Sequence, residues 1–244
     1  MNDKVMRLTA GLLLAGLLLL SAGCVRVELP KPEFTESSRS VQLGGAETVR
    51  ASFEMGVGTF ALSGGGTDLM DATFGYTDSA WKPTVDYEVK ETQGVLNVRT
   101  AHNPPLNLRA NNRFEWDIKL GGGVPLDLSV AMGAGESTID LSGLDVRRLQ
   151  VDLGAGESTI DLSGTWKNNL VAAVQAGVGS LTLRVPENVG VRLTGIRDGL
   201  GDYEADGFTQ DGEALVNAAY ATADVTFEIA LQRGVGEIIV ESVP

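Results

Sequence analysis

Two carboxylate pairs are the residues in this chain whose type and spacing could do chemistry: Glu136 and Asp140 recur 21 residues later as Glu157 and Asp161. If the two copies fold alike, like charges lie one strand apart and repel by about 0.2–1 kcal/mol unless something bridges them. Carboxyl groups about 5–9 Å apart can cleave a glycosidic bond, so an envelope glycan hydrolase or lyase is one reading. A bridging calcium is another. The repetition itself argues against catalysis, because a general acid and a base need different surroundings and a repeat gives both the same ones. Against calcium, no Asp-x-Asp-x-Asp-Gly loop is present, and Arg184 stands at the equivalent position of the next copy, where it offsets the aspartates. The expectation is a solvated acidic surface with no metal and no cofactor. A second acidic stretch, Asp198, Asp202, Glu204, Asp206 and Asp211 among glycines, reads as a solvated loop.

Other catalytic constellations are missing from the sequence. His102 is the one histidine and sits beside Asn103-Pro104-Pro105, and no Gly-x-Ser-x-Gly elbow accompanies it. Gly133-Ala134-Gly135-Glu136 lacks the Lys-Ser/Thr ending of a phosphate loop. The chain is therefore expected not to be an enzyme. A formal charge of −13 repels phosphate backbones, which excludes nucleic acid as a partner. A single Cys excludes a disulfide scaffold.

That Cys has a different use. Lys4 and Arg7 precede an apolar run, Leu8 to Leu20, that ends in Ser21-Ala22-Gly23-Cys24. The run is shorter than the roughly 20 residues that cross a bilayer comfortably, so it reads as a cleaved signal peptide. Small residues before a Cys resemble the bacterial lipobox, with Cys24 as the acylated N-terminus. Residues 1–23 are then the lipoprotein signal peptide. Residues 24–44, rich in Pro, Ser and Glu, are the lipidated Cys and a flexible tether.

The elements that must position the carboxylates emerge from a repeat. Val130 to Gly143 recurs almost letter for letter as Val151 to Gly164, and a looser copy, Val174 to Leu183, follows 23 residues further on. Two distant copies are Phe53 to Leu62 and Leu231 to Val240. Each is an alternating stretch, a Gly-x-Gly corner and a second alternating stretch, which is strand rather than helix patterning. The corners are Gly56 and Gly58, Gly133 and Gly135, Gly154 and Gly156, Gly177 and Gly179, and Gly234 and Gly236. Stacked coils bring such corners within strand spacing, where side chains have no room. The predicted fold is all-β: one right-handed β-solenoid domain over residues 45–242, in which Ile139, Ile160 and Leu183 form an inward column.

The Gly-Ala-Gly and Gly-Val-Gly coils, Thr84-Val85-Asp86-Tyr87, Phe114-Glu115-Trp116 before Pro125-Leu126, and Tyr220 to Val240 resemble the bacterial toast-rack (DUF2154-like) and cell-wall-active antibiotic response families, with adhesin domains as relatives. On that likeness residues 45–125 correspond to the toast-rack N-terminal part and 126–242 to a repeat-rich C-terminal part. The resemblance implies an envelope-facing solenoid, in some members a sensor of envelope stress, and it brings no catalytic residues. Together these readings give a non-catalytic module, lipid-anchored at the extracytoplasmic face of a bacterial membrane, that binds an envelope protein or glycan.

Overall fold

The computed structural model describes residues 33–100, 112–197 and 199–244. Cys24 with the signal peptide, His102 with its Asn-Pro-Pro turn, and Asp198 lie outside the described residues. In chain order the strands are β1 (Thr35–Val41), β2 (Thr48–Gly66), β3 (Met70–Tyr76), β4 (Pro83–Lys90), β5 (Gln93–Thr100), β6 (Phe114–Gly121) and β7 (Leu126–Asp140). They continue as β8 (Val146–Asp161), β9 (Leu170–Pro186), β10 (Gly190–Thr194), β11 (Tyr203–Ala205), β12 (Phe208–Asp211), β13 (Ala214–Asn217) and β14 (Thr226–Val243).

The five repeat copies become five long parallel strands in the spatial order β2, β7, β8, β9, β14. Their register is the one the sequence alignment implies: Gly58, Gly135, Gly156, Gly179 and Gly236 lie side by side, and so do Leu62, Ile139, Ile160, Leu183 and Val240. Ile139, Ile160 and Leu183 are fully buried. The predicted all-β solenoid is therefore the observed fold.

Each corner also shifts the side-chain alternation. In β7 the buried residues are Leu126, Leu128, Val130 and Met132 before the corner, but Ser137 and Ile139 after it. An unbent strand would have buried Ala134 and Glu136 instead. The extra residue at the corner acts as a bulge does, so that both halves of the strand point into one core. Turns then carry the chain to the next rung. The turn after β7 buries Leu141 and Leu144 and bonds the Leu141 amide to the Asp161 carbonyl. The change from a 21- to a 23-residue spacing falls in the turn after β8, where Trp166 Nε1 donates to the Leu162 carbonyl and the indole meets Phe227 edge-on at 4.7 Å.

Split rungs extend the stack at both ends. β5 pairs with the first half of β2 and β6 with the second. At the other end β10 and β11 pair with the two halves of β14. Between them Gly199-Leu200-Gly201 lies against the Gly234–Gly236 corner, with Leu200 beside Val235. The stretch expected as a solvated acidic loop is thus partly a sixth glycine corner followed by β11 and β12. Antiparallel strands close most of the remaining edges: β4 on β5, β3 and then β1 on β6, and β13 and then β12 on β10.

Two boundaries differ from the sequence reading. The segment 24–44, expected as a tether, contributes β1 to the sheet along the full length of β3. Its Thr, Glu, Ser and Arg side chains look like linker because an edge strand exposes most of them. The Ser40 hydroxyl, between the Asp68 and Asp71 carboxylates at 2.5 and 2.9 Å, ties this edge down. That hydroxyl, with the Thr67 and Asp68 amides, lowers the Asp71 pKa. Residue 125, the expected boundary between two parts, marks no break, because β2 and β7 pair from Val49 to Leu62.

Two stability predictions follow from the corner and the core. Gly156 has φ 138°, and a Cβ there would drive into the Gly135 carbonyl, whereas Gly143 has φ 76° with nothing within 4 Å. Gly143→Ala should cost about 1–2 kcal/mol and Gly156→Ala about 4 kcal/mol; equal losses in urea unfolding would contradict the backbone contact. The Ser137 hydroxyl, buried, donates to Ser158 Oγ at 2.7 Å. Either Ser→Ala change should cost about 1 kcal/mol, and the pair little more than one alone; strict additivity in a double-mutant cycle would refute this.

Candidate binding surface

Because strands repeat every second residue and the rungs are in register, outward side chains form files that run across the solenoid at about 4.8 Å per step. On the half of each rung after the corner, the first file is Thr59, Glu136, Glu157, Ser180 and Glu237. The next carries Thr138, Thr159 and Thr182, and the third Asp140, Asp161, Arg184 and Glu241. Both sequence-predicted carboxylate pairs are therefore brought together on adjoining rungs.

Their surroundings separate them. Asp140 Oδ1 accepts the Ser142 amide at 2.9 Å, and Asp161 Oδ1 accepts the Ser163 amide at 2.8 Å. These aspartates start the turns that leave each rung, a local role Asp fills well. Arg184 lies 3.7 Å from Asp161 and 2.9 Å from Glu241, and its hydrogen bond to Glu241 raises the guanidinium pKa. Glu136 and Glu157 are exposed and take part in no ion pair among the described residues. The two aspartates make the same turn hydrogen bond, with Arg184 beside Asp161 alone, and the two glutamates are both exposed, so neither pair sets a buried acid against an ionised base. Among the described residues no group of three or more His, Cys, Asp or Glu is placed to hold a metal ion.

The corner itself is the part of this surface that sequence reasoning missed. The middle residues of the Gly-x-Gly units, Val57, Ala134, Ala155, Val178, Val235 and Leu200, stand side by side across six rungs. The last three, toward the β11 end, are large and exposed: Val178, Val235 and Leu200 are 59%, 50% and 70% exposed. The signal was available, since the middle residue is apolar in every copy, but the repeat drew attention to the glycines. Beside this ridge, where Gly56, Gly133 and Gly154 carry no side chain, runs a shallow groove of about 480 Å³ whose rim includes Glu54, Arg99, Asp152 and Gln175. Arg233 fills the inward place held elsewhere by Met55, Met132, Leu153 and Ala176. Buried there, it donates to the Asp202 carbonyl and holds the chain just before β11.

The surface is made of files and a ridge on a regular stack, and comparisons with known proteins bear on that stack. The N-terminal domain of toast_rack, DUF2154, matches residues 30–184. A "putative cell adhesion protein" from Clostridium sporogenes ATCC 15579 is 31% identical over 86% of this chain and 100% of its own, with a TM-score of 0.81. A "putative adhesin" from Bacteroides fragilis NCTC 9343 aligns over 87% of this chain and 99% of its own at 12% identity, with a far looser TM-score of 0.33. No curated protein matches the chain. The family match covers more than half of the sequence, and the Clostridium relative exceeds 30% identity over most of it. The chain belongs to the toast-rack (DUF2154) family.

Proposed function

We propose that this protein is a non-catalytic binding module of the bacterial cell envelope, lipid-anchored through Cys24 on the extracytoplasmic side, that engages an envelope protein or glycan in adhesion or in sensing envelope stress. The observation that carries the reading is the in-register stacking of outward side chains, which offers a partner long files of like chemistry instead of an enclosed pocket. The use of Asp140 and Asp161 in turn hydrogen bonds also supports it, since it gives the best-placed carboxylates a structural task. The family relative described as a putative cell adhesion protein points the same way. No helix among the described residues is long and apolar enough to cross a membrane. The Ser21-Ala22-Gly23-Cys24 run at the end of the apolar stretch supports attachment through an acylated Cys24. Several acyl chains at about 0.8 kcal/mol per buried CH₂ would hold the folded part durably at the surface.

Two experiments check this. Cell fractionation should find the wild type with membranes and Cys24→Ser in the soluble extracytoplasmic fraction; identical partitioning of the two would remove the anchor. A screen of envelope glycans should give binding without turnover. Turnover that disappears in Asp161→Asn would replace the binding module with a hydrolase or lyase.

A further inference from the structure

The stack has four edges where its parallel half-strands end, and three are closed by antiparallel strands: β5 by β4, β6 by β3 and β1, and β10 by β13 and β12. The fourth is β11, which among the described residues pairs with β14 and nothing else. The stretch from Leu200 to Ala205 follows β14 through amide bonds of Leu200 to Gly234, Gly236 to Leu200 and Ile238 to Asp202, so its other edge faces outward. Tyr203 is 40% exposed at a position whose equivalents on the inner rungs are Ile238, Leu181 and Ser137.

We propose that this edge receives an extended segment of another polypeptide as one further parallel rung, and that the segment carries apolar, glycine and cationic residues in a fixed order. The proposal rests on the reading of the chain as a binding module and names its partner chemistry. Main-chain pairing on an open edge supplies affinity, and the side-chain files supply specificity. An added strand in register places one side chain beside Leu200, where an apolar group continues the Val178, Val235, Leu200 ridge. It places two more beside Asp202 and Glu204, next to Glu237, where cations are favoured. Acidic side chains on an edge also oppose its pairing with a second copy of itself.

The corner adds a steric rule. The Cβ that Gly135, Gly156, Gly179, Gly236 and Gly201 lack would in each case strike the carbonyl of the preceding corner glycine. A residue set over Gly201 meets the same carbonyl geometry and must itself be glycine. The matching segment reads apolar, Gly, cation, apolar, cation, apolar.

The test is fluorescence anisotropy of a labelled, end-capped Gly-Val-Gly-Lys-Ile-Lys-Val peptide with the full-length chain in neutral detergent. The peptide should bind, and replacing its second Gly by Ala or its lysines by Glu should weaken binding at least about tenfold, near 1.4 kcal/mol. Leu200→Asp and the pair Asp202→Asn with Glu204→Gln should do the same, while Val171→Asp, on the other half of the rungs, should leave binding unchanged. The Ala peptide binding as well as the Gly peptide, or Val171→Asp weakening it as much as Leu200→Asp, would overturn the proposal, and so would no binding at all. The peptide series keeps the test decisive if a protein variant fails to fold. Membrane anchoring and glycan binding are read separately, so this edge can fail while the binding-module reading stands.

Discussion

Backbone touching backbone at the glycine corner is the constraint on which the rest depends. Where Gly156 crosses Gly135, and at each equivalent crossing, the rungs approach so closely that a single methyl group would separate them. The bend at that crossing turns one strand into two facing halves and moves the alternation by one residue, so that both halves bury apolar side chains in one core. Without the bend the second half would expose Ile139 and Ile160 and bury glutamate. Core, flat faces and apolar ridge are three results of one piece of backbone geometry.

The same regularity governs what the surface can do. Register aligns threonine with threonine and carboxylate with carboxylate, which suits recognition spread over many weak contacts and works against assigning opposite proton-transfer roles to neighbouring residues. Exceptions show where the repeat is modified. Arg184 stands in a file of acids, and Ser180 divides Glu157 from Glu237. Each lowers like-charge repulsion at a place where strict repetition would have accumulated it.

Much of this architecture was legible in the amino-acid sequence, because strand alternation and glycine spacing are local properties. The pairing of Ile139 with Ile160 and the joining of Phe53–Leu62 and Leu231–Val240 to the same stack follow from aligned letters. β1 was not legible, since an exposed edge strand has the composition of a linker and its pairing with β3 is a tertiary fact. Gly199-Leu200-Gly201 was hidden by the acidic residues that follow it, because charge masks strand patterning when one face is solvated and the other is little buried. The turn duty of Asp140 and Asp161 depends on amide positions two residues ahead, which the Asp-Leu-Ser-Gly spelling hints at, whereas the exposed apolar ridge depends on a corner whose apex points outward.

β14 lies between β9 and β10, although β10 to β13 precede it in the chain. Synthesis proceeds from the N-terminus, so the strand that seals the middle of the stack is made after both of the strands it separates. Until Thr226 to Val243 appear, β9 has no neighbour on that side, and β10 and β11 have nothing parallel to rest against. The half of the molecule beyond β9 can then settle only once β14 has been made, by closure over a separation of 57 residues between Leu170 and Phe227.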